Sequence, residues 1–240
     1  MAIGQQQGGN EAVSLEKLAN AISAAMPRRM DATDQRIAAG LYRGLAEGQR
    51  VSPEAISRTT SIPVNRINAA LDSWPGVHRD EEGCVIGFWG LTVRKMDPEY
   101  RFQIDGNTSY AWCALDTLFI PAFLGKDVAV EATCPVTGEP VSFVVAEDGV
   151  HELRPVGAVV SMVSPNQPFG YDVIESFCHR VHFFATQDAG ARWAAEHEGT
   201  TLLSAEEAFE LGRAMSKRIA PDLFGAWNQT GPHNRAARRS

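Results

Sequence analysis

Cysteine is scarce in this chain and never paired in sequence. Cys84, Cys113, Cys134 and Cys178 are the only four among 240 residues, and none belongs to a CxxC. That spacing excludes a disulfide-dense secreted scaffold and the close ligand pairs of a structural zinc site. It fits a reducing, cytoplasmic setting, where a thiol is either a small buried hydrophobe or a reactive group. Long apolar runs are missing too. No stretch approaches the roughly 20 residues needed to span a bilayer, and the Gly/Gln-rich start, Met1 to Asn10, lacks the basic and apolar regions of a signal peptide, so neither membrane nor export is expected. There is no Gly-rich phosphate loop or recognisable cofactor motif. A net charge of -7 with 44% hydrophobic and 21% charged residues describes a globular chain with a sizeable core, which excludes disordered, collagen-like and coiled-coil classes.

What is present divides near residue 90. Leu15, Leu18, Ala19 and Ile22 recur at helical spacing until Pro27 stops the run, and a second helical stretch covers Asp34 to Glu47, closed by Gly48. Ser52-Pro53-Glu54 reads as an N-cap followed by proline at the first helical position, starting a third helix. A fourth begins near Pro63, sets Ile67, Ala70 and Leu71 on one face and ends before Pro75-Gly76; Val77 to Phe88 then reads as a hairpin with an acidic tip. This is the order of a winged helix over residues 34–90, preceded by a tail and helix, 1–33. DNA binding is not expected. Val64 to Ser73 offers only Arg66 beside Asp72, and the hairpin tip, Asp80-Glu81-Glu82, is acidic.

From residue 91 to 220 the pattern predicts an α+β domain with a mixed or antiparallel sheet and packed helices. Strands are expected at Leu91–Val93, Tyr100–Ile104, Val128–Thr133, Val141–Val145 and Ala158–Val163, separated by turn residues. Tyr110 to Leu124 is long and apolar enough for a buried helix. A segment from Ile174 to Phe184 follows a polar loop, Ser164 to Asp172, and Ala191–His197 and Ala205–Ile219 read as helices. Residues 221–240, rich in arginine towards the end, read as a solvated tail.

Two cysteines stand out by their neighbours. In Tyr110-Ala-Trp-Cys-Ala-Leu-Asp-Thr, Cys113 and Asp116 lie three residues apart, which on a helix puts thiol and carboxylate on one face. An aspartate in an otherwise apolar helix is costly unless paired or functional, and here it is placed to accept or return a thiol proton. The same spacing also suits a core cysteine with a capping aspartate. Cys178, in Ser176-Phe-Cys-His-Arg-Val-His-Phe-Phe, has cationic neighbours that favour thiolate; His179 and His182, without a third close ligand, read as residues on a solvated face. Two thiolates and a carboxylate would make a soft site for a thiophilic metal, Cys113, Cys178 and Asp116 being the ligands. Cys134, where a strand meets a turn, and Cys84, in the hairpin, read as structural.

At these residues the sequence resembles the organomercurial (alkylmercury) lyases. The shared features are Gly87-Phe-Trp-Gly-Leu-Thr, the block Tyr110-Ala-Trp-Cys-Ala-Leu-Asp-Thr-Leu through Pro121, Cys134 with its Thr-Gly, Ser176-Phe-Cys followed by Val181-His-Phe-Phe-Ala, and more weakly Glu207-Ala-Phe with Leu211-Gly212. The resemblance runs from about Leu41 to Ala220. His179 stands where the family often has a second cysteine. The resemblance implies protonolysis of carbon–mercury bonds in mercury detoxification, with Cys113 and Cys178 as the catalytic cysteines, Asp116 as the acid and Cys113 favoured as first nucleophile. It implies no resident cofactor, since mercury is substrate and product, and it implies external thiols for turnover and a mercuric reductase as recipient of Hg(II). A winged-helix metal-responsive regulator and a thiol protein binding another soft metal, such as copper, are the alternatives that the residues alone leave open.

Overall fold

The computed structural model describes residues 14–26 and 30–224. The tail expected at 1–10, the Pro27 stop and most of the tail expected at 221–240 lie outside the described residues; Pro221–Phe224 form a short helix with Leu223 buried rather than a solvated stretch. Four helices open the fold: α1 (Leu15–Ala25), α2 (Ala32–Ala46), α3 (Pro53–Thr60) and α4 (Val64–Ser73). Their starts follow capping chemistry. Asp31 accepts the Asp34 amide ahead of α2, and Ser52 accepts the Ala55 amide ahead of α3, with Pro53 at the first helical position. Asp34 is fully buried, a position a carboxylate tolerates only when paired; Arg66, on α4, reaches it at 2.7 Å. Arg79 is likewise bound to Asp72, and Arg50 to Asp80 and Glu82. Each of these three arginines is thus paired with a carboxylate of the same portion of the chain.

The hairpin of β1 (Val77–Arg79) and β2 (Val85–Phe88) does not stand apart. Through β3 (Leu91–Thr92) it continues into an eight-stranded antiparallel sheet with β4 (Tyr100–Ile104), β5 (Asn107–Ala111), β6 (Val128–Thr133), β7 (Pro140–Ala146) and β8 (Gly149–Arg154), in the order β1-β2-β3-β5-β4-β6-β7-β8. Strand β6 alternates buried and exposed residues, as expected of a sheet with one face on the core. Helix α5 (Ala114–Leu124) connects β5 to β6 and is apolar almost all round, as a helix enclosed by protein must be. Gly125 ends it in the left-handed conformation.

A second sheet has β9 (Val159–Val163) between β10 (Phe183–Phe184) and β11 (Thr200–Ser204), also antiparallel. Around these lie α6 (Val173–Ser176), α7 (Gln187–Glu196), α8 (Ala205–Ile219) and α9 (Pro221–Phe224). Helix α8 packs on α1 and α5, closing the core over the larger sheet. Among the described residues, no helix is long and apolar enough to cross a membrane.

One expectation changes. The helix read from Tyr110 starts only at Ala114, because Tyr110 and Ala111 pair with Arg101 and Tyr100 of β4 and with β3, and sheet pairing outweighs the apolar run. The stretch from Ile174 to Phe184, whose backbone the sequence leaves open between strand and irregular, contains both. It passes from α6 into a 3₁₀ turn at Cys178–Arg180 and then into β10.

Candidate active site

The late start of α5 gives Cys113 its place. With its extended backbone (φ -151°), Cys113 is the N-cap of the helix, and Asp116 is the third helical residue. The two form a capping box: the Asp116 carboxylate accepts the Cys113 amide at 2.9 Å while the Cys113 sulfur faces the Asp116 amide. Thiol and carboxylate thus share the helix N-terminus, where free backbone amides favour negative charge.

Cys178 comes from the 3₁₀ turn. The amide of Ala114 donates to the carbonyl of Val181 at 3.1 Å, tying the start of α5 to the segment after Cys178. This link brings together residues 65 positions apart in sequence. The Cys113 and Cys178 sulfurs and an Asp116 oxygen all lie within 4.8 Å of one another and all three residues are buried; among the described residues no other trio of His, Cys, Asp or Glu forms such a cluster. Cys134 and Cys84 are outside it. Cys134 sits in the β6–β7 turn, its amide bonded to Glu139 and its carbonyl to Gly138, and Cys84 closes the β1–β2 turn onto Asp80.

Burial dominates the electrostatics. It raises Asp116 from the ordinary aspartate value to about 7, against the opposing pull of the Cys113 thiol and amide. Burial also lifts Cys113 well above the usual thiol value, assisted by its hydrogen bond to Cys178 and by the Asp116 charge. For Cys178 that same bond from Cys113 acts downwards, and burial with the Asp116 charge outweighs it, leaving a smaller rise. A carboxyl poised near neutrality beside two reluctant thiols is suited to moving a proton.

Gly90 packs directly on this carboxylate. A Cβ there would stand 2.5 Å from an Asp116 oxygen, and the backbone has φ +93°, so only glycine fits. Beside it Tyr42 donates to the Trp89 carbonyl at 2.9 Å. Asp116 and Cys178 line a small apolar cleft open to solvent; Cys113 does not reach its wall. Trp89, Trp112, Phe169 and Phe177 are among the residues lining the cleft. Helices α1, α8 and α9 contribute Ile22, Met215, Ile219 and Leu223.

The histidines depart from expectation. His179 is partly exposed and pairs with Glu175. His182, expected on a solvated face, is buried against Tyr100, because the run Val181 to Ala185 turns inward as β10 joins the second sheet. Sequence reading missed Tyr100, Ser161 and Gly90 as neighbours of the site. The inward phase of β4, with Tyr100, Phe102 and Ile104 buried, was the available signal for the first.

A family model described as alkylmercury lyase (MerB) matches residues 94–217. An alkylmercury lyase of Bacillus cereus is 42% identical over 178 residues, covering 74% of this chain and 79% of that protein. One of Staphylococcus epidermidis is 39% identical, covering 81% and 84%, and one of Pseudomonas putida 37%, covering 76% and 84%. The crystal structure of the mercury-bound form of MerB2 superposes with a TM-score of 0.65 at 21% identity, covering 85% of this chain and 98% of that one. That likeness carries the α+β fold, and the sequence matches carry the family: the chain belongs to the alkylmercury lyases.

Proposed function

We propose that in this alkylmercury lyase Cys113 and Cys178 take the mercury of an organomercurial and Asp116 delivers the proton that releases its carbon. The observation that carries the assignment is the buried approach of two sulfurs and one carboxylate within 4.8 Å at the head of an apolar cleft. Carbon leaves mercury poorly until the metal gains electron density, and two thiolates are the soft donors that supply it.

The steps balance without a redox partner. The first cysteine displaces the incoming external thiol from R–Hg–SR′, and R′SH leaves with the cysteine's proton. The second cysteine gives its proton to the Asp116 carboxylate as its sulfur bonds mercury. Asp116 then transfers that proton to the carbon as the C–Hg bond breaks, giving R–H, Hg(II) held by two sulfurs, and the carboxylate again. External thiols exchange Hg(II) off the enzyme.

The cleft modifies the order expected from sequence. Cys178 lines it and Cys113 does not, which supports Cys178 as the first sulfur to engage. Within this reading the enzyme works in the cytoplasm, holds no resident cofactor and hands Hg(II) to a mercuric reductase. The winged-helix-like portion, 34–90, serves as structural cover, a role supported by the inward commitment of Arg66.

Purified protein given methylmercury and excess thiol should evolve methane. Cys113→Ser and Cys178→Ser should each reduce it at least about a thousandfold. Full turnover by either variant overturns the two-thiol mechanism.

A further inference from the structure

The segment Cys178–His182 carries a reactive sulfur through irregular backbone, yet each of its carbonyls is taken. That of Cys178 accepts the Val181 amide at 3.0 Å, that of Val181 the Ala114 amide, and that of His182 the Ser161 amide at 2.9 Å. The Arg180 carbonyl accepts the Ser161 hydroxyl at 2.8 Å, and the oxygen of that hydroxyl in turn accepts the His182 amide at 2.9 Å. The His179 carbonyl is met by a side chain: Nε2 of His182, at 2.8 Å. The 3₁₀ turn holding Cys178 is thus closed twice, once by backbone and once by an imidazole.

The partners fix the tautomer. A carbonyl accepts only, so Nε2 carries the hydrogen, and Nδ1 of the neutral ring accepts from the Tyr100 hydroxyl at 2.8 Å. Tyr100 also lies 3.3 Å from the Val181 carbonyl, the same oxygen that anchors the residue after Cys113. Trp193 stands edge-on to the imidazole with 4.9 Å between centroids and limits its rotation. Burial holds His182 below its ordinary value, in keeping with the neutral form. One chain of contacts therefore runs from β4 through Tyr100 and His182 to the Cys178 turn, and another from the Val181 carbonyl to the N-terminus of α5.

We infer that His182, oriented by Tyr100, is a positioning residue for carbon–mercury cleavage: its Nε2–H bond to the His179 carbonyl sets how closely the Cys178 sulfur approaches that of Cys113. The inference rests on the two-thiol reading above. Two sulfurs must meet one metal, and a displacement of about 1 Å in such a constellation costs on the order of a hundredfold in rate.

Two replacements separate this role from mere filling of the core. His182→Gln carries an amide nitrogen to the position of Nε2, whereas His182→Asn reaches only the position of Nδ1. With methylmercury at saturating thiol, His182→Gln should keep kcat within about threefold, and His182→Asn should lose about thirtyfold or more. Retention of Hg(II) against excess dithiothreitol should follow the same order. Equal activity in the Gln and Asn variants, high or low, overturns the inference. Should neither variant fold by circular dichroism, Tyr100→Phe, which removes one hydroxyl, decides: kcat lowered about fivefold or more supports the brace, and parental kcat refutes it. Activity surviving in Cys113→Ser or Cys178→Ser defeats the two-thiol reading itself, whatever the His182 variants do.

Discussion

Replacing Asp116 by asparagine tests the buried carboxyl through stability rather than turnover. Asparagine keeps the shape and the acceptor for the Cys113 amide but has no charge to bury. In the native protein Asp116 titrates at about 7 instead of 3.8, so the folded state holds its proton more tightly than the unfolded chain does. The stability this contributes is complete below about pH 4 and lost progressively as pH rises to 7, at up to about 1.4 kcal/mol per pH unit. The asparagine side chain does not titrate, so the variant loses nothing over that range. Its stability relative to the parent should therefore grow by about 2–3 kcal/mol between pH 5 and pH 8, then level off. Urea denaturation of both proteins, mercury-free and fully reduced, measures this directly, and taking the difference cancels groups common to both. A difference that stays flat from pH 5 to pH 8 would refute the claim that Asp116 is a buried acid near neutrality.

Other consequences are simpler to read. Gly90→Ala should lower kcat at least about tenfold, because the new methyl displaces the Asp116 carboxyl; parental kinetics would mean the contact is immaterial. Cys134→Ser should cost about 1–3 kcal/mol in thermal or denaturant unfolding yet leave turnover of the folded protein unchanged. Burial works against ionisation of the Cys134 thiol, but hydrogen bonding from Thr137 and from the backbone at Ala185, Thr137 and Val136 holds its pKa below the usual value. With one equivalent of phenylmercury, Cys113→Ser should form its adduct at least about tenfold faster than Cys178→Ser, followed by peptide mapping; the opposite ranking gives the first step to Cys113.

Much of this is readable in the sequence alone, where a local rule coincides with the tertiary one. Strands β4 and β6 and helix α8 lie where periodicity puts them, Tyr100–Ile104, Val128–Thr133 and Ala205–Ile219. Strands β5 and β8 were not visible, since Asn107-Thr-Ser and His151-Glu-Leu-Arg are polar on their exposed positions and carry little strand signal. Asp116 was legible as an anomaly in an apolar run with Cys113 three residues before it; a cysteine in an apolar run is ordinary by itself, and Cys178 joined them through the resemblance. The support around the trio was not legible. Tyr100 and His182 are 82 residues apart and neither is unusual where it stands; only the packing of β4 against the Cys178 turn makes them partners.

The lining of the cleft has more than one origin. In the proposed mechanism the reacting groups come from the head of α5 and the Cys178 turn, whereas Ile22, Met215, Ile219 and Leu223 of the lining come from α1, α8 and α9. On that reading, substitutions on α1, α8 and α9 should alter which organic groups fit while leaving Cys113, Asp116 and Cys178 in place.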